Sequence, residues 1–494
     1  MARNTRNATI SAVLEEKMAY PDWVEKFRRP GTNITCIRGK YYLYEVTSKW
    51  DPEKKRAQKK TGKYLGRITE EDGLIPPKEK GNSAEDGSIS VREYGASSFL
   101  CKAGADILEE LKYRFPEEGE KIFTLAVLRV IERCPFKRAE FLYGRSYLSE
   151  VFGKQSLSPS GISRLMQEFG SKREQHVGFM REYMKDSGYI LFDGTNIISE
   201  SGKMDINRLG YNSHREYEPQ INLLYAFSMN TEEPGYYRIL PGNIRDVRAF
   251  RKSVEELNIK NVVIIADKGF GSEENFNLLR ESSMQYIVPL KRNNGYCNRE
   301  KLKTGRREDF DGYFLFGGRA VWYYEYEIDG KRFIMYLDES LKSKEERDYL
   351  QRLEEKKEDY SDEGFIGRQY HFGTITFHTN LIADPKEIYT LYKTRNAVEQ
   401  TFDFLKNLLE QDHTYLQSQQ AVESWAFINH ISMMLVYRLF NLIKSAKLTS
   451  SVSVQDLISH LKYIQRIKIN SSWVTGEISG KTQKLLDKLN VHIT

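Results

Sequence analysis

Cysteine is scarce in this chain: four in 494 residues, Cys36, Cys101, Cys134 and Cys297, with no Cys-x-x-Cys pair. That spacing suggests neither a disulfide framework nor a zinc site, and it fits a reducing cytoplasm. Histidine is also sparse, eight residues without ligand spacing. No His-Glu-x-x-His, full P-loop or Gly-x-Ser-x-Gly motif occurs, so three common catalytic signatures are missing. Long apolar runs are absent as well. The most apolar stretch, "FINHISMMLVYRLFNLI" from Phe427, contains Asn429, His430 and Arg438. It predicts a buried helix, not a membrane span. The opening "MARNTRNATISAVLEEKM" has no apolar core of the signal-peptide type. The expectation is a soluble, cytoplasmic protein with no membrane partner.

What is present is length and a mild excess of positive charge. Lys and Arg number 75 against 69 Asp and Glu, for a net charge of +6 and a pI near 8.7. A polyanion partner is compatible with that balance but is not required by it. A chain of this length predicts two to four domains as a loose prior.

Along the chain, residues 1–72 read as a small β-rich domain. "ITCIRGKYYLYEVTSKW" and "KYLGRIT" supply the strands, with the basic turn "DPEKKRAQKKTGK" between them. The turn is either a DNA-backbone contact or a solvated hairpin tip. Residues 73–95 are a linker rich in breakers. Residues 96–186 turn helical and form a second candidate DNA-binding region. In "LSPSGISRLMQEFG", Ser158 is the expected N-cap and Pro159 stands in the first turn, as a packing helix or as half of a helix-turn-helix. From 187 to 295, apolar strands alternate with helices, the texture of an α/β core with a mixed sheet. Residues 296–370 are a β-rich insertion with an Asp329-Gly330 hairpin turn. Residues 371–445 return to the core, and 446–494 are helical.

Two aspartates stand out, Asp193 in "YILFDGT" and Asp267 in "NVVIIADKG". Each is expected to close a strand of aliphatic residues, where functional groups of open α/β sheets gather. Carboxylates held together repel, so such a cluster usually holds a divalent cation. In "YKTRNAVEQTFDFLK", Tyr392, Arg395, Glu399 and Lys406 fall within an arc of about 60° if one helix turns about 100° per residue. Val398, Phe402, Leu405 and Leu409 form the adjoining apolar stripe. The start of this helix is marked by Asp384 as N-cap, Pro385, and Glu387 in capping-box position. Taken alone, Arg395 and Glu399 are an ordinary i, i+4 ion pair.

With the aspartates, the spaced Tyr, Arg, Glu and Lys resemble the Tyr-(2)-Arg-(3)-Glu-(6)-Lys signature of the DDE transposases of bacterial insertion sequences, insertion-sequence family four and its larger members. "LFDGT", "PGNIRD", "ADKGFGS" and "TN" are similar too, and the resemblance covers about 185 to 440. It implies a ribonuclease-H-like core, a mixed sheet flanked by helices, in which Asp193, Asp267 and Glu399 bind two Mg²⁺ ions, Mn²⁺ being an acceptable substitute. It also implies DNA strand cleavage and transfer of 3′-hydroxyl ends to target DNA. The implied partners are double-stranded DNA, as terminal inverted repeats and target, and a second copy of the chain; the implied setting is the bacterial nucleoid. Arg395 and Lys406 would hold phosphates, and Tyr392 would bond a phosphate or orient Glu399. Asp403 is a reserve third carboxylate.

The gap of 132 positions from Asp267 to Glu399 is long for such a core and matches the position of an inserted β-rich segment in relatives. There Trp322 is the candidate for stacking on a flipped base, the alternative being packing under the inserted sheet. Lys291 and Arg292 are candidate phosphate contacts. Three other readings stay open: a DNA-binding chain that no longer cuts, a metal-dependent nuclease without strand transfer, and a dinucleotide-binding turn at "ADKGFGSEEN", which lacks its third glycine.

Overall fold

The computed structural model describes residues 20–51, 56–77, 89–185, 187–211, 217–243, 247–258, 263–265, 273–281, 284–394, 404, 407, 409 and 413–493. At some of these positions, 193 among them, only the backbone is described. The chain divides into two compact units, Met1–Ile89 with Ile469–Ser472, and Ser90–Lys468 with Trp473–Thr494.

The first unit is a four-stranded antiparallel meander: β1 Thr32–Ile37, β2 Lys40–Asp51, β3 Arg56–Thr69 and β4 Gly73–Ile75. Leu43 and Ile68 alternate inward and, with Ile34 and Val24, make a small core flanked by Trp23, Phe27 and Tyr41. Gly66 sits at a close approach of strands: its φ is +152°, and a Cβ there would strike the Ile75 carbonyl.

The second unit takes in β5 (Ile89–Glu93) from Ser90 onward and a set of helices, including α1 Gly119–Glu132, α2 Pro159–Phe169 and α3 Arg173–Met184. The Ser158 hydroxyl accepts from the Gly161 N–H and Pro159 opens α2, so the cap read from "SPSG" is present. A mixed sheet follows: β6 Tyr189–Ser199, β7 Arg208–Tyr211, β8 Tyr217–Ser228, β9 Glu233–Pro241, β10 Val263–Ile265 and β11 Gln285–Pro289. Helix α4 Val247–Leu257 lies between β9 and β10 in the chain. Within this part of the sheet the order is β9-β8-β6-β10-β11, with β9-β8-β6 antiparallel and β6-β10-β11 parallel.

The strands after 296 do not form a sheet of their own. β12 Gly312–Phe316, β13 Arg319–Ile328 and β14 Lys331–Asp338 continue through β15 Thr374–Thr379 onto β11, in one 11-stranded sheet. Asp329 and Gly330 turn the β13–β14 hairpin at φ of 53° and 69°, the mirror-image turn that matches strand twist.

The second half of the core is helical. Helix α5 Pro385–Lys393 leads toward the short strand β16 His413–Thr414 and then α6 Gln419–Ser445. Helix α6 is long and apolar enough to cross a membrane, yet 78% of its most apolar window is buried inside the fold. Phe427, Ile428, Ile431, Met434 and Leu435 are fully buried, each contributing about 1.5–3 kcal/mol of apolar burial. β17 Gln465–Ile469 and β18 Ser472–Thr475 join β5 in a three-stranded sheet.

One charge network ties this unit together. The Arg173 guanidinium donates to Glu423 at 2.8 Å and to Glu256 at 2.9 Å, and lies 5.6 and 5.2 Å from the Tyr236 and Tyr237 ring centres. The Tyr237 hydroxyl donates to Glu423 at 2.7 Å, the Tyr236 hydroxyl donates to Glu256, and Arg238 adds a 3.3 Å bond to Glu256. Burial alone would raise the Glu423 carboxyl; His176, Arg173 and Tyr237 override it and hold it at about 2. The network joins α3, α4, β9 and α6.

Candidate active site and the residues around it

Strand β6 supplies the first aspartate. "YILF" is apolar and buried, with Ile190, Leu191 and Phe192 at 1% exposure or less, which suits a central strand. Asp193 does not close that strand. It is the fifth of eleven residues, opposite Tyr225 of β8, and the strand runs on to Ser199 through "TNIIS". Thr and Ile keep the β preference, and β8 offers partners out to Gln220, so Gly194 does not end the pairing.

On the other edge of β6 stand β10 and β16. β10 runs parallel to it, with Val263 beside Tyr189, Ile264 beside Ile190 and Ile265 beside Leu191. β16 then pairs at Ile198 and Ser199. Between these two, 192–197 faces no strand on that side among the described residues. Gly194 is exposed there, while Thr195 and Asn196 are buried. Behind the sheet lies a neutral layer. The ring of His430 on α6 is 5.9 Å from Tyr225 and 5.5 Å from Tyr237, and burial pushes its imidazole down to about 3.

Helix α5 reaches the same strand. The Tyr189 hydroxyl donates to Glu387 at 3.1 Å. The Asp384 carboxylate caps the helix by accepting from the Lys386 N–H at 2.8 Å, with Pro385 in the first turn. Glu387 is therefore bonded to β6, and the expected capping box is replaced by this long-range bond. α5 ends at Lys393, with Thr394 as its C-cap.

Asp267, Arg395, Glu399, Asp403 and Lys406 lie outside the described residues, as does the side chain of Asp193. Tyr392 is described: it is 9% exposed and its ring lies 4.6 Å from Phe377. Farther on, the Leu409 N–H donates to the Phe404 carbonyl, five residues back, at 2.9 Å. That bond is wider than the α-helical one, so a uniform step of about 100° does not extend through 409. Phe404, which such a wheel puts outside the expected apolar stripe, lies 5.6 Å from both Tyr437 and Phe440 of α6. Leu409 is fully buried, and its carbonyl accepts from the buried Arg129.

The remaining candidates sit apart from β6 in the chain order of the sheet. Arg292, just after β11, donates to the Thr374 carbonyl at 3.1 Å and pairs with Glu345 at 2.8 Å, while Lys291 is exposed. Trp322 is half-buried in β13, with Tyr313 and Phe310 at 5.1 and 5.9 Å and the Arg307 guanidinium at 5.4 Å. Among the described residues, no three His, Cys, Asp or Glu side chains form a group able to hold a metal ion. Arg173, Glu256 and Glu423 escape a reading of the sequence because 83 and 250 residues separate the partners.

The mixed sheet with helices packed on it, carrying an aspartate within strand β6, defines the class: an α/β domain. The profile of the family described as "Transposase DDE domain" matches residues 185–435, just over half of the chain. The chain belongs to that family, whose catalytic domain has the ribonuclease-H-like fold. Comparison with curated proteins finds no match. Among solved structures, the chain is similar to that of the "piggyBac transposase synaptic complex with hairpin DNA", determined by cryo-EM. The two are 11% identical with a TM-score of 0.37, over 75% of this chain and 79% of the other.

Proposed function

We propose that the chain is the transposase of a bacterial insertion sequence of family four. On this reading it binds the terminal inverted repeats, cuts the DNA and joins the 3′-hydroxyl ends to target DNA. Asp193, Asp267 and Glu399 are its catalytic carboxylates. The observation that carries this is the parallel register of β6 and β10. Ile265 stands beside Leu191, and in the sequence an aspartate follows each of them two residues later. Alternate residues of a strand share a face. Position 193 therefore falls on the face of Tyr189, which is bonded to the helix α5 that precedes Glu399 in the chain.

The donor set fits magnesium. Three carboxylates offer hard oxygen ligands of the kind this cation prefers. Two ions held there, Mg²⁺ or Mn²⁺, would supply an activated nucleophile and charge stabilisation for an in-line displacement at phosphorus. Arg395 and Lys406 bind and orient phosphate, the first by a fork and the second as a point charge. Tyr392, packed on Phe377, positions the chain leading to Glu399. Trp322 offers a half-exposed ring for a displaced base, and Lys291 an exposed cation; Arg292, engaged by Glu345, has less to give. The chain acts as a homodimer on paired ends, in the bacterial cytoplasm at the nucleoid. The test is nicking of DNA carrying the element's own ends. Asp267→Ala should abolish Mg²⁺-dependent cleavage and leave end binding intact; cleavage at the wild-type rate would refute the assignment.

A further inference from the structure

The first unit carries an element that its own fold does not explain. β1 pairs with β2 only as far as Glu45, and β4 pairs with β3 only over Arg67–Thr69. Past one more bond, from the Val46 N–H to the Gly31 carbonyl, β2 and β3 pair among the described residues only with each other: Thr47 opposite Lys60, Ser48 opposite Lys59, Lys49 opposite Gln58, Trp50 opposite Ala57 and Asp51 opposite Arg56. Among the described residues this is a bare two-stranded arm, about 17 Å long at 3.3–3.4 Å per residue. An isolated ribbon of two strands is marginal in water.

Its charge points elsewhere. Between residues 38 and 67 there are ten Lys and Arg against three Asp and Glu. On the arm itself, Asp51 stands opposite Arg56, which leaves Lys49, Lys59 and Lys60 in excess, with Lys63 just below. The base of the arm is braced. The register shifts at Tyr44, and the Tyr64 ring lies 5.4 and 6.1 Å from those of Tyr44 and Tyr42. Such a bulge re-aims the strands that leave it.

We propose that this arm is a duplex-DNA-binding ribbon that enters the major groove, with Lys49, Lys59, Lys60 and Lys63 against the flanking phosphates. The major groove admits a two-stranded ribbon, and the excess of lysine suits a polyanion. The choice of DNA over another polyanion rests on the transposase reading.

The test is the affinity of the full chain for a random-sequence DNA duplex, followed by fluorescence anisotropy across a salt series. Replacing the four lysines (K49Q, K59Q, K60Q and K63Q together) should weaken duplex binding about tenfold or more near 0.1 M salt. It should also flatten the plot of log K against log salt by about 2–3. The four Lys→Arg replacements should retain binding. In the wild-type protein, duplex should protect Lys59 and Lys60 from acetylation, a readout that needs no variant. Unchanged affinity and slope, unprotected lysines, or a larger loss on single-stranded DNA than on duplex would each overturn the proposal. A wild-type chain that binds no duplex at all would sink the transposase reading with it; normal duplex binding by the lysine variant sinks the ribbon alone.

Discussion

The Arg173 network and the β2–β3 arm are both charged and differ in one respect, which is where the partner comes from. Arg173 is surrounded by Glu256, Glu423, Tyr236 and Tyr237, drawn from three other elements of its own unit. The lysines of the arm are arrayed on two strands whose outer edges have no neighbour among the described residues. Charge of the first kind is answered within the fold and serves stability. Charge of the second kind serves an outside partner. The three proposed catalytic carboxylates belong with the arm in this respect, since three anions brought together need cations from solution. The net charge of +6 conceals the distinction.

The contrast is open to attack from both sides. The largest effect on stability is expected at Arg173. Arg173→Ala leaves Glu423 and Glu256 without their main cation and should cost about 3–5 kcal/mol in chemical denaturation. The four-lysine variant of the arm should instead melt as the wild type does, within about 0.5 kcal/mol, while losing duplex affinity. If both proteins lost stability alike, the arm's charges would be structural and the contrast would fail.

A smaller effect is expected from acid. The Glu423 carboxyl is held at about 2 in the fold, below its ordinary value of 4.5. Its contribution is therefore present above pH 4.5 and is lost as pH falls from there toward 2, because the unfolded chain takes up the proton first. Glu423→Gln, already weakened near neutrality, should show a flatter loss across that window; a parallel curve would show that the network does not govern acid stability. Smallest is Trp322. Trp322→Ala should weaken binding of DNA with an unpaired base near the end by about 1–3 kcal/mol, with Trp322→Phe recovering most of it. Equal losses on fully paired DNA would mark the ring as packing alone.

Local chemistry was the legible part of this protein. The caps at Ser158 and Asp384 and the Asp329-Gly330 turn depend on neighbours a few residues away, and the structure has all three. The apolar start of β6 was legible for the same reason. Its continuation beyond Asp193 was not, because Gly194 reads as a breaker until β8 is present to pair with it. The seam joining the inserted strands to the core, β14 on β15 and β15 on β11, is likewise a long-range event with no local signal. Glu387 shows the competition directly: its spacing suits a capping box, yet Tyr189, far away in sequence, takes the carboxylate. Phe404 exposes the limit of a helical wheel, since one five-residue bond after it ends the uniform rotation on which the wheel depends. At the candidate site, Tyr392 and the strand positions are described, whereas Asp267 and Glu399 lie outside the described residues.

The most direct measurement is Mn²⁺ binding to the intact protein, read by electron paramagnetic resonance, in the wild type and in Asp193→Asn, Asp267→Asn and Glu399→Gln. If the three side chains share one pair of ions, each single replacement should weaken Mn²⁺ binding by at least about tenfold. A replacement at any one of the three that left both affinity and stoichiometry unchanged would remove that residue from the site and contradict the account.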